Sequence, residues 1–136
     1  MAQKRPDRVR GAGHNEFWDW CSKGELRLQR CQDCDKLSWP VIQACEYCNG
    51  IQFTWERMSG RGKVVSWCTF ERDYYRGLLP IPWETILVEL EENVLFISNP
   101  GNFALKDMSA DMAVKLAFVD CEDSTGHFRL PVFDKA

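Results

Sequence analysis

No stretch of about 18 consecutive apolar residues occurs in the 136-residue chain, and the opening MAQKRPDRVR leads into no apolar core. The sequence therefore predicts neither a membrane-spanning helix nor a secretion signal, and a cytoplasmic location. It contains no G-x-S-x-G elbow, no P-loop and no dinucleotide fingerprint. Histidine is scarce. His14 and His127 are the only two, and neither has a nucleophile beside it in sequence, so catalysis by this chain alone is not expected. A surplus of positive charge is missing as well: 17 Lys and Arg against 20 Asp and Glu give a formal net charge of −3, which argues against a protein whose main task is neutralising phosphate backbones. Internal repeats and low-complexity segments are absent. What remains, 45% hydrophobic and 27% charged residues, is the balance of a globular chain with a packed core, long enough for a small metal-stabilised module plus a compact barrel.

Cysteine, by contrast, is abundant. Seven are present, and four of them form two knuckles ten residues apart, Cys31-Gln-Asp-Cys34 and Cys45-Glu-Tyr-Cys48. A C-x-x-C turn sets two sulfurs on one side of a tight loop, and two such loops close a tetrahedral thiolate shell with Zn–S distances of about 2.3 Å. Structural zinc is the leading reading. A rubredoxin-type iron or iron–sulfur centre uses the same ligands, and a thioredoxin-like redox pair is a more distant alternative because the βαβ surroundings are lacking. Four thiolates leave no open coordination position, so the metal is expected to be structural. Cys21, Cys68 and Cys121 stand alone in sequence and read as buried, inert thiols.

The hydrophobic pattern divides the chain into 1–25, a flexible arm carrying Lys4, Arg5, Arg8 and Arg10 followed by a short helix; 26–50, the zinc ribbon; and 51–136, strands. Asn15 is a plausible helix N-cap and Gly24 a stop. Phe17, Trp18 and Cys21 share one stripe, and Trp18 and Trp20 are candidates for a docking surface. Val64, Ser66, Cys68 and Phe70 alternate with Val65, Trp67 and Thr69 in a long strand. Ile86, Val88 and Leu90 alternate in the next. VLFIS, 112–121 and HFRLPVF complete five strands, with a helical turn expected in ALKDMSADM. The fold class is mainly β: an N-terminal helix, a rubredoxin-like ribbon and a five-stranded OB-type barrel, a pattern that a small sandwich could share. The long loop 73–83 places Tyr74, Tyr75 and Arg76 together, a mixture suited to a flat aromatic ligand carrying phosphates or to a protein hot spot.

Taken together, ELRLQRCQDCDKLSWPVIQACEYCNG, SGRGKVVSWCTFERDY, ILVELEENVLFIS and the closing LPVF resemble domain-of-unknown-function family thirty-five, a rubredoxin-like zinc ribbon fused to an OB-fold, over roughly residues 14 to 134. The resemblance implies a small, non-catalytic subunit of a thiolase-superfamily enzyme. Such a subunit is expected to support carbon–carbon cleavage or formation on an acyl-CoA, whether thiolysis (as in aromatic or steroid degradation), retro-aldol cleavage or acyl transfer, in an α2β2 assembly with acyl-CoA at or near the interface. It carries Cys31, Cys34, Cys45 and Cys48 over as zinc ligands, and makes Trp18, Trp20, Tyr74, Tyr75 and Arg76 candidates for contact with the partner or with CoA. The alternative is a stand-alone nucleic-acid-binding ribbon/OB protein. Two positions depart from the family pattern: Asn93 and Asp111 stand where glycine is usual. Both residue types tolerate positive φ, so the turns are expected to survive.

Overall fold

The computed structural model describes residues 2–136. In chain order the elements are β1 (Gln3–Lys4), α1 (His14–Ser22), β2 (Arg27–Cys31), β3 (Leu37–Ser38), β4 (Phe53–Arg57), β5 (Arg61–Phe70), β6 (Trp83–Leu90), β7 (Leu95–Ser98), a 3-10 turn at Leu105–Asp107, β8 (Ala113–Asp123) and β9 (Gly126–Lys135). The chain is mainly β with one α-helix, as its alternation pattern implies.

Two sheets divide the strands. The ribbon sheet has the order β3-β2-β4, and the larger sheet runs β1-β8-β5-β6-β7 with β9 on β8. The chain does not leave the ribbon at Gly50, as the composition change suggests: β4 pairs antiparallel with β2 from Cys31↔Phe53 to Arg27↔Arg57. The second sheet takes over only from Arg61. At its far side the end of β7 approaches β9, since Ser98 Oγ donates to the Pro131 carbonyl at 3.0 Å and Gly101 N–H to the Phe133 carbonyl at 2.7 Å. Pro100 and Phe133 form a bridge there.

Asn93 and Asp111 adopt φ of 66° and 62°, so both turns survive without glycine. Ile86, Val88 and Leu90 are buried as their alternation predicts, and they join Val64, Phe96, Val114 and Phe133. Leu26, Leu28 and Met58 from the ribbon side, and Phe17 and Cys21 from α1, belong to the same core. The two sheets thus share one hydrophobic centre.

Three expectations are corrected. First, the alternation along β5 holds only to Val64: a bulge between Val64 and Ser66 breaks the register with β6, and every residue from Ser66 to Phe70 is exposed, Cys68 included. An alternating pattern cannot reveal that half of a strand projects beyond the core. Second, α1 is capped at Gly13, whose N–H donates to the Glu16 carboxylate at 3.1 Å. Asn15 is spent elsewhere, its Oδ1 accepting from Arg10 Nε at 3.0 Å and Gly11 N–H at 3.1 Å.

The third correction concerns the flexible arm. Gln3–Lys4 pairs in parallel with Cys121–Glu122 of β8, and Asp7 accepts from Ser124 N–H and Oγ. Arg8 forks onto Asp123, with Nε to Oδ2 at 2.7 Å and Nη2 to Oδ1 at 3.3 Å, while its own backbone N–H donates to Oδ2 at 3.0 Å. The ion pair is nearly sealed from water, at 6% and 0% side-chain exposure. The Arg8 guanidinium also lies 4.3 Å from the Phe128 ring centroid, and Arg5 stacks over Trp83 at 4.8 Å. Arginines that read as solvated charge in an isolated sequence are here the fasteners of the arm.

Candidate metal centre and the adjoining surface

The ribbon is built from two equivalent turns. Asp35 N–H donates to the Cys31 carbonyl at 2.9 Å and Asn49 N–H to the Cys45 carbonyl at 2.8 Å. Each turn then passes through a left-handed residue, Asp35 at φ 65° and Asn49 at φ 64°. Gly50 follows because a Cβ there would lie 3.2 Å from Cys31 Sγ and collide with the Asp33 carboxylate. Arg30 holds the first knuckle to the sheet: it grips Glu56 on β4 with two bonds of 2.8 and 2.6 Å, and its Nη1 donates to the Asp35 carbonyl at 2.6 Å. That grip keeps the Glu56 carboxyl below its ordinary pKa.

These turns bring all four predicted ligands together. The Sγ atoms of Cys31, Cys34, Cys45 and Cys48 lie within 4.8 Å of one another, with the Cys31–Cys48 and Cys34–Cys45 pairs at 3.5 Å. A tetrahedral shell with bonds of about 2.3 Å has edges of about 3.8 Å, so the tetrad matches a ZnS₄ site in size. Its electrostatics agree. The Tyr47 amide, then that of Cys48, lowers the Cys45 thiol to about 7. Cys48 is drawn down by the Gly50 amide, but its bond to Cys31, burial and the other two sulfurs push it up to about 12. Four sulfurs this close ionise together only around a cation. The ion they hold is a structural zinc: with four thiolates it has no vacant position for a substrate, and it fixes the ribbon's fold.

Residues 18–52 match the family model of the ChsH2 rubredoxin-like zinc ribbon domain. The solved structure of the Ltp2-ChsH2(DUF35) aldolase superposes with a TM-score of 0.80 over 95% of this chain and 98% of that one, at 22% identity. Residues 18–52 are thus similar to the ChsH2-type zinc ribbon, and the fold is that of the DUF35 structure. A DUF35-family protein of unknown function from Sulfolobus solfataricus superposes less closely, with a TM-score of 0.57 over 78% of both chains at 15% identity. By sequence, the 3-oxo-4,17-pregnadiene-20-carboxyl-CoA hydratase alpha subunit of Mycobacterium tuberculosis (strain ATCC 25618 / H37Rv) is 29% identical over 122 residues. The match takes in 90% of this chain but 38% of that relative, so the chain spans little more than a third of the hydratase subunit's length.

The remaining sequence candidates do not gather around the metal. Trp18 is half-buried edge-on between Phe17 and Phe128, and Trp20 lies beneath Arg27 and Lys23, whose charged groups stand 3.9 and 4.7 Å from its ring centroid. The exposed aromatic face anticipated on the helix is therefore not there, because the helix packs on β9 and covers itself with its neighbours' cations. Tyr74 and Tyr75 do stand in the open, on a turn held by Asp73, whose carboxylate accepts from Tyr75 N–H at 3.0 Å and Gly77 N–H at 2.8 Å. Arg76 sits in that same turn at φ 51°. His127 is exposed with Nε2 3.5 Å from Glu122, and His14 opens α1.

What the sequence did not single out is the company around the tyrosines. Trp67 and Phe70 on the projecting half of β5, with Leu78 and Ile81 in the loop, are all exposed. Tyr74, exposed by 65%, and Tyr75 lie in the same β5–β6 connection. The available signal was the run of aromatic residues on both faces of β5, which a strand packed on one side would not carry.

No helix among the described residues is long and apolar enough to cross a membrane.

Proposed function

We propose that the chain is a non-catalytic accessory subunit that docks on a thiolase-like catalytic partner and supports acyl-CoA chemistry there, in the cytoplasm, with an OB-type barrel carrying the docking hairpin and the zinc ribbon bracing its base. The observation that carries this reading is the outer part of the β5–β6 hairpin, where Trp67, Phe70, Tyr74, Tyr75, Leu78 and Ile81 are all exposed to solvent. Isolated exposed apolar residues are ordinary, but so many exposed aromatic and aliphatic residues on one hairpin have the composition of interface anchors. The relatives support the direction of the reading: one is named as an aldolase joining Ltp2 to a DUF35 component, and another as a subunit of an acyl-CoA hydratase.

Within this reading Tyr74, Tyr75 and Arg76 meet the partner or its CoA ligand, and two copies of the chain flank a partner dimer as α2β2. Arg76 and Arg72 beside aromatic rings suit the phosphates and adenine of CoA. The acidic balance of the chain speaks against the nucleic-acid alternative.

The test is co-purification of the tagged chain from its native host, followed by assay of the recovered partner with and without the chain. A thiolase-like protein that loses activity when the chain is removed, and regains it on addition, is the expected result. Full activity of the partner alone, or salt-sensitive submicromolar binding of single-stranded nucleic acid by the chain, would overturn it.

A further inference from the structure

Between the arm, α1, the ribbon segment Trp39–Val41 and the base of the projecting hairpin lies a cavity of about 740 Å³. That is the size of a pocket for a small organic molecule rather than a packing defect. Trp18, Trp39, Trp83, Phe96 and Leu79 give it an apolar body. Its charged groups are few and unequal. Asp7 has both carboxylate oxygens engaged by Ser124, and Arg8 is neutralised by Asp123. His14 also lines the wall. Arg5 and Arg72 line it too, and no salt bridge engages either among the described residues.

Arg5 is the informative member. Its guanidinium lies over the Trp83 ring, 4.8 Å from the centroid, and its Nη1 is sealed by protein without a hydrogen-bond partner, so an acceptor entering the cavity meets the group at its Nε–Nη2 edge. Burial pulls the guanidinium's pKa down, yet it starts so high that the group stays charged. A cation without a salt bridge, held against an apolar wall, is stabilised by an anion that arrives at its open edge. The cavity therefore offers a large apolar volume with an unpaired guanidinium edge in its wall.

We infer that this cavity binds an amphipathic carboxylate, a compact ring-containing or branched apolar body ending in one carboxyl group, with Arg5 as the group that receives the carboxylate. Guanidinium and carboxylate match as planar two-point partners, and pairing them away from water strengthens the bond. The site belongs to this chain alone and does not depend on the accessory-subunit reading, although its rim includes Tyr74 and Tyr75.

The experiment uses the isolated zinc-loaded chain and two fluorescent probes of equal body, 1-pyrenebutyrate and the neutral 1-pyrenebutanol, followed by energy transfer from the tryptophans to pyrene. Saturable binding of the acid, at least about tenfold tighter than the alcohol, is expected. Arg5→Met should bring the two probes to equal affinity, Arg5→Lys should keep part of the preference, and Arg10→Met, a change at a charge outside the cavity, should leave it intact. Melting curves establish that each variant is folded; should Arg5→Met fail to fold, Arg5→Lys and the wild-type acid-to-alcohol ratio still decide. Equal affinities in the wild type, a preference that survives Arg5→Met, or no saturable binding at millimolar probe would each overturn the assignment. No partner enters the assay, so these failures leave the docking reading untouched.

Discussion

Replacing Asp123 by asparagine keeps the shape of the arm's anchor and removes its charge. Five hydrogen bonds converge on that carboxylate, from Arg8 N, Nε and Nη2 and from Thr125 N and Oγ1. With the charge gone, Arg8 is left as a nearly sealed, uncompensated cation, a situation that costs about 3–5 kcal/mol when a buried pair is broken from one side. The arm has one escape. If it undocks and Arg8 returns to water, the loss is limited to what docking contributed, and residues 3–10 become open to protease. Arg8→Met leaves the complementary orphan, Asp123. Replacing both groups removes the orphaned charge, so the double variant should be more stable than either single one.

The assay is urea unfolding of the four proteins by tryptophan fluorescence, with limited proteolysis of the arm in parallel. Acid dependence follows from the same geometry. Arg8's hydrogen bond, ahead of the contacts from Thr125 and the backbone, holds the Asp123 carboxyl well below the usual carboxylate range. A folded-state pKa below the unfolded value of about 3.9 means the contribution is complete above that value and is lost progressively as pH falls beneath it. Asp123→Asn should lack that component of acid destabilisation. Single variants that each cost less than about 1 kcal/mol, with additive effects in the pair, would class this as an ordinary surface ion pair and refute the reasoning.

Further outcomes are expected. Metal analysis of freshly purified protein should find one zinc per chain; iron in its place, or under half an equivalent of any metal, would contradict the site's assignment. Maleimide labelling should find one fast thiol, Cys68, in the native zinc protein and five after chelation below the melting temperature of the metal-free chain, because Cys21 and Cys121 are buried and burial pushes Cys21 up to about 12; rapid labelling of Cys21 in folded protein would contradict the packing. Gly62→Ala should destabilise the fold by about 1–3 kcal/mol in urea titration. Its Cβ would stand 2.7 Å from the Glu89 carbonyl oxygen and from Val88 Cγ1, where β5 is paired with β6 on one side and β8 on the other. Tyr74→Ala with Tyr75→Ala should weaken partner recovery and leave the melting temperature unchanged, since both rings stand in solvent.

The metal site was legible in the sequence because a C-x-x-C knuckle is local chemistry: the ligands, their turns and the geometry they enclose all lie within eighteen residues. Strands with one buried face, such as Ile86–Leu90, were legible for the same kind of reason, since period-two alternation records burial directly. Asn93 and Asp111 were readable as turns because their side chains tolerate the backbone conformation. What escaped was non-local or irregular. Nothing near Arg8 in sequence announces a partner 115 residues away. Beyond the bulge after Val64 the strand projects past the core with both faces in solvent, and so Cys68, which alternation places inside, is exposed. The third ribbon strand, Phe53–Arg57, looks like any other β segment, and only its register against β2 assigns it to the ribbon.

The shared core bears on what zinc does for the rest of the molecule. If the ribbon and the larger sheet were independent, Cys45→Ser would unravel the ribbon and leave that sheet intact. Yet Leu26, at the entrance to β2, and Leu28, within it, are fully buried in one core with residues of the larger sheet, and Met58 N–H bonds to the Leu26 carbonyl at 2.8 Å. Exposing both leucines would cost about 3–6 kcal/mol, a large part of the roughly 5–15 kcal/mol that holds a domain of this size. The knuckle loop is tied down as well: Gln29 exchanges two bonds with the Ile42 backbone, and Trp39 packs against Phe96 with ring centroids 4.7 Å apart. Loss of zinc should therefore be felt first at Trp39, as a red shift of fluorescence when the loop lifts from Phe96. Unwinding that then reaches Leu28 should bring down the whole chain in one cooperative step. Thermal melting of Cys45→Ser followed by circular dichroism of the larger sheet tests this directly. A single transition well below that of the zinc-loaded protein is expected, and an unshifted main transition preceded by a separate small one would show that the ribbon and the larger sheet do not depend on a common core.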